Sequence, residues 1–291
     1  MSSKHVDEKG EKILPFQMDC LPEFVLTKSE KELNETIERR VESLQELRTV
    51  LQKNQTTSGI DFHNDLMVQF LRRNKYRIRQ TVKNIQNFVS LNRKESWLFK
   101  SIPDDCFTSK PATNCVLLLP KRCPDGCTLI LSQCGKWNPD ELSFEYLMQL
   151  IMMLFTQLLR DPMTQINGFK LIHDFRETTF QQLKYATPYN MYLFCHTAFN
   201  CLPGRYKEIH FINESFVLKA LWMILKPFLS QKIKSRIYFH SSTEELFDYF
   251  PRSVIPVEYG GELSDSDLKD WIRNSNEDFK QYVIEGRPNY Y

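Results

Sequence analysis

A chain of 291 residues, 42% of them hydrophobic, is long and apolar enough for one large domain or two modest ones, which excludes disorder throughout. Charged residues make up 25% of the chain and leave a net charge of only +2, so a nucleic-acid binder that relies on its global charge is excluded as well. The eight cysteines are irregularly spaced, the amino terminus has no apolar leader, and no run reaches the roughly 20 apolar residues of a membrane span. These features predict a soluble, cytoplasmic protein with reduced thiols.

The first part of the chain is predicted to be helical after a polar arm. Residues 1–28 are polar and mixed in character, which predicts a mobile amino-terminal arm. Apolar residues then recur at helical spacing from Leu33 to Leu51, with Ser29 or Thr27 as the capping residue. Further helical patterns begin near Asp61 and Arg77. Residues 29–110 are therefore predicted to form a small helical domain.

The remainder, residues 111–291, has the pattern of an α/β domain with a helical tail at its carboxyl end. Short apolar or alternating runs predict five strands, at residues 115–120, 128–134, 169–175, 208–214 and 236–242. Longer helical patterns lie between them, at residues 143–160, 180–200 and 214–230. Strands that alternate with helices favour a mainly parallel sheet covered by helices.

Four cysteines have the residue type of a zinc site but not its spacing. The spacing of Cys115, Cys123, Cys127 and Cys134 lacks the two closely spaced pairs of ligands that structural zinc sites use. Buried thiols are the favoured interpretation, and no metal site is predicted.

Two pairs of adjacent residues, each with one histidine, have the residue types of catalytic groups. Cys195 and His196 are adjacent, so on a helix their side chains point about 100° apart rather than toward each other. His173 and Asp174 end a strand, where active-site residues often lie, but no third partner follows from the sequence. A pocket or core histidine is the favoured interpretation, and neither a catalytic residue nor a cofactor is predicted.

Two helical segments are unusually apolar, and one of them precedes a basic run. Phe144 to Leu159 is almost continuously hydrophobic and rich in methionine, which suits either core packing or an irregular apolar ligand. Phe216 to Leu229 has apolar residues on nearly every side and is followed by Lys232, Lys234 and Arg236. Such a segment is either a fully buried core helix or one that shows an apolar face to a membrane or partner, where adjoining cations suit an anionic surface.

The order of motifs in the second part resembles the CRAL-TRIO lipid-binding family, in the branch of the tocopherol and retinaldehyde carriers and the clavesins. The resemblance covers about residues 60–263. It is carried by INES (212–215), KPFL (226–229), KIKSRI (232–237), the following HS (240–241) and PVEYGG (256–261). DLMVQFLRRNKY (65–76) resembles the family's amino-terminal FLR motif. The fold implied is a small amino-terminal helical bundle and a CRAL-TRIO α/β domain, with a lid helix over an apolar cavity.

The resemblance also implies two sets of site residues. The cavity is expected to be lined by Met148, Ile151, Phe155, Phe169, His173, Phe194, Ile209, Val217, Leu221, Ile224 and Leu225. A basic cleft for the head group of a phosphatidylinositol bisphosphate is expected at Arg205, Lys207, Lys232 and Arg236.

This chain departs from the family's pattern at several of these positions. Serines of the tocopherol carrier are replaced by Ile151 and Phe155, which predicts a drier cavity suited to a carotenoid or another isoprenoid. Asn74 replaces a further arginine of the FLR motif, so we expect weaker head-group binding or substitution by Arg73 and Lys75. Ser215 replaces the proline of the INEP motif, which predicts a looser lid hinge.

The function implied is that of a lipid carrier without catalytic activity. We expect a monomer that encloses one small hydrophobic lipid, such as a tocopherol, retinoid or carotenoid, and docks transiently on endosomal or other phosphoinositide-bearing membranes. No nucleic-acid partner is expected. Two alternatives remain open from the sequence: an adaptor that uses the fold to bind proteins, and an enzyme built on a reactive thiol or a metal.

Overall fold

A bundle of helices is followed along the chain by an α/β domain. The computed structural model describes residues 20–108, 112–264, 276, 277 and 280. The helices are α1 (Glu23–Leu33), α2 (Ile37–Lys53), α3 (Asn64–Arg73), α4 (Ile78–Lys94), α5 (Asp105–Thr108), α6 (Phe144–Leu158), α7 (Pro162–Asn167), α8 (Phe180–Leu183), α9 (Pro188–His196), α10 (Phe216–Leu225) and α11 (Gln231–Lys234). The strands are β1 (Val116–Leu118), β2 (Thr128–Gln133), β3 (Phe169–Asp174), β4 (Tyr206–Ile212) and β5 (Ile237–Phe239).

The amino-terminal segment differs from its prediction in two respects. Helix α1 begins at Glu23, earlier than predicted, because Val25 and Leu33 pack on Met163 of α7. The predicted arm is thus helical after residue 22, and its part up to residue 19 lies outside the described residues. The single helix predicted from Leu33 to Leu51 is in fact two helices, since the left-handed Asn34 ends α1 and Thr36 caps α2. The predicted carboxyl-terminal tail lies outside the described residues, apart from residues 276, 277 and 280.

The sheet confirms the prediction of a mainly parallel, five-stranded arrangement. Its strand order is β1-β2-β3-β4-β5; β1 is antiparallel to β2, and the other neighbours are parallel. The carboxyl ends of β2, β3 and β4 therefore meet at one edge of the sheet, where Ser132 pairs with His173 and His173 with Phe211.

Alternation along the strands separates two apolar layers on opposite faces of the sheet. On β2, Leu129 and Leu131 pack with the 3₁₀ turns near the end of the described chain, whereas Ile130 faces the other way. The first layer, which includes Phe250 and Ile255, consists of buried apolar side chains packed against one another. The second layer lies beneath α6 and α10, and it contains the cavity described below.

A buried ion pair within the helical bundle is linked to the α/β domain by one further hydrogen bond. Arg72 at the end of α3 pairs with Glu35 at 2.7 Å, with both side chains less than a tenth exposed. The same guanidinium donates to Gln165 of α7 at 2.5 Å. Removing one partner would leave a buried charge uncompensated. Arg72 of the FLR motif therefore has a structural role.

Candidate functional site, an apolar cavity beside a basic cleft

A cavity of about 240 Å³ lies between the sheet, α6, α9 and α10. Its wall is overwhelmingly apolar and includes Met148, Met152 and Met191, whose flexible side chains adapt to irregular shapes. The volume lies below the range of about 300–1,000 Å³ for small-molecule pockets, so a long ligand requires these side chains or the covering helix to shift.

The structure brings nine of the eleven predicted lining residues together in this wall. They are Met148, Ile151, Phe155, His173, Phe194, Ile209, Val217, Leu221 and Leu225. That any of them contacts a ligand stays a prediction. Sequence reasoning missed further lining residues, among them Ser132, Trp137, Tyr185 and Phe211. Ser132 could have been found from the alternation in TLILSQ, which places it on the same face as Ile130.

Two predicted lining residues, Phe169 and Ile224, do not reach the cavity. Phe169 is fully buried, and the rings of Phe155 and Tyr206, at centroid distances of 4.8 Å and 5.9 Å, take its place in the wall. Ile224 follows the inward-facing Leu221 by three residues, which places it about 60° around the helix from Leu221 and outside the cavity wall.

Helix α10 covers the cavity as a lid with two apolar faces. Val217, Leu221 and Leu225 line the cavity on the inner face. On the outer face, Met223 is 72% exposed and Phe216 is 50% exposed, which excludes the alternative of a fully buried core helix. Around the lid lie further exposed aromatic residues, namely Phe180, Tyr192, Phe228 and Phe239. Exposed apolar patches of this kind mark interaction surfaces.

The hinge before the lid is held by hydrogen bonds. Ser215 caps α10 by accepting from the Leu218 backbone N–H, and its hydroxyl lies 2.9 Å from the Thr178 hydroxyl. Asn213, in a left-handed conformation, donates to Asp174 at 2.7 Å. Serine in place of proline therefore gives a capped and anchored hinge rather than the loose one that was expected.

His173 is a neutral side chain in the cavity wall. Burial, with a smaller contribution from the neighbouring His210, lowers the pKa of His173 to about 4. The accessible part of the ring faces the cavity, and the ring stacks on Phe211 at a centroid distance of 5.4 Å. The cavity therefore carries no charge from this imidazole at neutral pH.

This lowered pKa predicts acid destabilisation. A histidine with a lower pKa in the folded state binds fewer protons there than in the unfolded chain, so stability is lost as the pH falls below about 6.5. For His173, the free energy of unfolding should be about 2 kcal/mol lower at pH 5 than at pH 7. Urea unfolding of wild type and His173→Phe at both pH values checks this. The variant should lose part of the acid sensitivity, since the pKa values of buried His210 and His240 are also lowered; an identical pH dependence would contradict the assignment.

A basic cleft of about 560 Å³ opens beside the cavity. All four predicted cations lie in it, together with three from the α3–α4 turn. The seven are Arg73, Lys75, Arg77, Arg205, Lys207, Lys232 and Arg236. Tyr206 lines both the cavity and the cleft and so forms part of the wall between them.

Charge repulsion within the cleft acts on Lys232. Its pKa is lowered by burial and then by four neighbouring cations, of which Arg236 and Arg73 contribute most. A polyanion placed among these cations would relieve that repulsion and accept several charge-assisted hydrogen bonds.

One carboxylate, that of Glu32 on α1, already lies in the cleft. It accepts from Lys207 at 3.2 Å and from Arg205 at 3.3 Å, and these cations hold its pKa below the ordinary value despite burial. Nothing in the local sequence signals this contact, because it joins residues more than 170 positions apart.

The FLR motif contributes to the cleft differently from the family pattern. Arg73 is half-buried and donates to the backbone carbonyl of Phe199. Asn74 lines the cleft but donates its amide to the Phe70 carbonyl. Lys75 also lines the cleft, in a left-handed turn after α3.

The thiols show no sign of activation for chemistry. Burial raises the pKa of Cys195, Cys115 and Cys123 to about 12, the opposite of what a nucleophilic thiolate requires. Within the part of the chain that the structure describes, no three His, Cys, Asp or Glu side chains group in a way that could hold a metal ion. Nor is any helix among the described residues both long and apolar enough to cross a membrane.

Comparison with known proteins agrees with this architecture. The sequence pattern of the CRAL/TRIO domain matches residues 113–261. The chain is 26% identical over 269 residues to the alpha-tocopherol transfer protein-like protein of Homo sapiens, covering 91% of this chain and 79% of that protein. It is 25% identical over 255 residues to clavesin-1 of Rattus norvegicus, covering 85% of this chain and 71% of that protein. The crystal structure of Sfh5 superposes with a TM-score of 0.54 at 13% identity, over 93% of this chain and 99% of that one, and so shares the fold. The domain match spans half of the chain, and the protein therefore belongs to the CRAL/TRIO domain family.

Proposed function

We propose that this protein is a non-catalytic lipid carrier, which encloses one small hydrophobic lipid and exchanges it at membranes that contain phosphatidylinositol bisphosphate. A tocopherol, a retinoid, a carotenoid or a related lipid is the class of cargo. The observation that carries the proposal is a single lid helix with an apolar inner face on the cavity, an apolar outer face in solvent, and seven cations beside it.

The cavity supports carriage on energetic grounds. Apolar surface in water costs about 25 cal/mol per Å², so a lipid crossing water unprotected is strongly disfavoured. Enclosure beneath α10 removes this surface from water. Opening the lid requires that its inner residues meet another apolar phase, which a bilayer provides.

The surroundings of the lid support docking on an anionic bilayer. Phe216 and Met223 on the outer face are placed to enter the interface between head groups and acyl chains. The cleft contributes lysines and arginines at the same side of the molecule, since Phe228 of the lid region also lines it. Such cations add about 1 kcal/mol each near an anionic surface.

A bisphosphorylated head group suits the cleft because its cations converge. At Lys232 the pKa is lowered by burial and then by neighbouring cations, so a bound polyanion would relieve repulsion there. The partner membrane we propose is endosomal or another phosphoinositide-bearing membrane facing the cytoplasm, and the carrier is proposed to act as a monomer.

A transfer assay tests the proposal directly. A fluorescent isoprenoid should move from loaded protein to acceptor vesicles faster when these contain phosphatidylinositol bisphosphate. Met223→Asp should slow the transfer while leaving cargo binding intact, because Met223 lies outside the cavity. A transfer rate that is the same with and without the phosphoinositide, and the same in Met223→Asp, would contradict membrane docking through this face and favour a protein-binding adaptor.

Glu32 provides a further prediction. Glu32→Gln removes the carboxylate that pairs with Arg205 and Lys207, so affinity for phosphoinositide vesicles should rise about fivefold, as expected for about 1 kcal/mol. Vesicle sedimentation at constant ionic strength measures it. Glu30→Gln, at an exposed position of the same helix, makes the same change in net charge. An equal rise in both variants would show a net-charge effect instead of competition in the cleft.

A further inference from the structure

Two buried histidines lie on the face of the sheet opposite the cavity, and the carrier proposal does not use them. His210 of β4 is fully buried, and His240, directly after β5, is 4% exposed. Ile209 and Phe211 line the cavity, so the alternation along β4 turns His210 to the other face. There Nδ1 of His210 lies 2.8 Å from Nε2 of His240. This contact joins two side chains that each take up a proton near neutral pH when they are free in water.

Each histidine also meets a carboxylate at its other ring nitrogen. Nε2 of His210 lies 3.2 Å from Glu208, and Nδ1 of His240 lies 3.4 Å from Glu245 in the 3₁₀ turn Glu244–Asp248. The four side chains thus form a chain of three contacts that joins β4, the end of β5 and this turn. Each contact needs one proton between its two atoms, so the complete chain holds three ring protons, which is one more than two neutral imidazoles carry.

This count of protons limits what the closed pair can hold. Two neutral rings leave one nitrogen without a proton against a carboxylate, and one added proton fills that contact. A second added proton puts an N–H group at every ring nitrogen, so two donors would face each other across the 2.8 Å contact between His210 and His240. The closed pair therefore accepts one proton, whereas two separated histidines accept two.

The surroundings make even the first of these protons costly at neutral pH. Burial lowers the pKa of both imidazoles, and the carboxylates of Glu208 and Glu245 offset only part of that effect. The closed pair is consequently uncharged at pH 7. The titratable groups that face the pair, from its own strands, from β3 and from the 3₁₀ turn, are Lys170, His173, Glu208, Tyr238, Glu245, Asp248 and Tyr249.

The histidine contact fixes the end of β5 next to the lid. The His240 backbone N–H donates to the Phe211 carbonyl at 2.9 Å and so extends the pairing of β5 with β4. Phe239, the preceding residue, packs its ring on that of Trp222 in α10 at a centroid distance of 5.1 Å. Freeing the end of β5 would therefore remove a packing partner from the lid.

We propose that His210 and His240 form an acid-sensitive latch, which stays closed while the pair holds no more than one added proton and opens when it takes the second. Opening frees the end of β5 and loosens the lid. The direction follows from linkage, because separated histidines bind more protons than the closed pair, so that opening is favoured as the pH falls below about 6.5. The latch itself needs no cargo, and only its effect on cargo release rests on the proposed carrier function.

Native-state hydrogen exchange of the cargo-free protein tests the latch. From pH 7.5 to pH 5.5, the opening equilibrium at the amide of residue 240 should rise at least about tenfold relative to the amides of β3. His210→Phe, His240→Phe removes both titrating groups and keeps a ring at each position, since both histidines pack among aromatic side chains. This variant should show a rise of about twofold or less. The matched control His196→Phe removes a histidine that stacks on Tyr192, and it should keep the wild-type rise.

Nitrogen-15 NMR of the histidine rings is a second measurement that needs only the wild type, so it decides even where the double variant does not fold. The two rings should titrate together and take up one proton in total while the His240 amide stays protected. Uptake of two protons in the protected state would overturn the latch. So would an acid-induced rise in exchange that is absent from the wild type, or equal in the double variant.

Cargo release then tests the connection to the lid. A fluorescent isoprenoid should leave the wild type faster at pH 5.5 than at pH 7.5, and this acceleration should be smaller in the double variant. Equal acceleration in both proteins would overturn the connection between the latch and the lid. A wild type that binds no cargo would overturn the carrier proposal, while the exchange result would still decide the latch.

Discussion

Replacing both Lys207 and Lys232 with alanine should weaken binding to vesicles containing phosphatidylinositol bisphosphate by about 30-fold. Each lysine near an anionic surface contributes about 1 kcal/mol, and about 1.4 kcal/mol corresponds to a factor of ten. These two residues suit the test because their ammonium groups border the cleft and neither contacts a buried backbone group in the described part of the chain. Arg236 is less suitable, because it donates to the backbone carbonyl of Tyr206. The remaining affinity should also depend less on salt concentration.

The matched control for this variant removes the same charge elsewhere. Lys53 at the end of α2 and Lys121 after β1 are exposed and do not line the cleft. Their double alanine variant should keep phosphoinositide binding within about twofold, since a general loss of two charges acts weakly through screening solvent. Equal losses in the two double variants would contradict a cleft site and indicate nonspecific attraction.

The second large effect is expected from filling the cavity. Leu221→Trp places an indole on the inner face of α10, in a cavity of about 240 Å³. The indole takes the ligand's space or holds the lid away, and overpacking a core of this kind costs about 1–3 kcal/mol. Cargo should therefore no longer co-purify. The stabilisation by excess lipid, about 2.7 kcal/mol at one hundred times the dissociation constant, should disappear in thermal unfolding experiments.

Met223→Trp is the matched control on the outer face of the same helix. Met223 is 72% exposed, so the same side chain at this position leaves the cavity unchanged. Cargo should be retained, and membrane binding should be equal to wild type or stronger, because tryptophan suits the bilayer interface. Retention of cargo in Leu221→Trp at the wild-type level would show that lipid binds outside the cavity.

Much of this architecture could be predicted from local sequence patterns. The five strands and the long helices follow from periodicity, as β3 shows, because its alternation places Leu171 and His173 in the cavity and Ile172 on the opposite face. Four of the seven cations of the cleft, namely Arg205, Lys207, Lys232 and Arg236, were expected from the resemblance to the CRAL-TRIO family and not from a local pattern. The structure then places them in one cleft.

Other features depend on contacts that no local pattern contains. Glu32 meets Arg205 and Lys207 only through the docking of α1 on α7. The break between α1 and α2 depends on the left-handed Asn34. The break between α8 and α9 depends on the Thr187 cap, which Pro188 follows. Both breaks interrupt an apolar repeat that is continuous in the sequence. Such breaks shift which side chains reach the cavity.

The central claim is that the cavity carries a lipid, and organic extraction of the purified protein tests it most directly. The protein is exposed to a native lipid extract, repurified and analysed by mass spectrometry, with Leu221→Trp treated in parallel. We predict near-stoichiometric recovery of one hydrophobic lipid species from wild type and none from Leu221→Trp. An empty wild-type protein, or the same lipids from both proteins, would contradict the claim that this fold serves here as a lipid carrier.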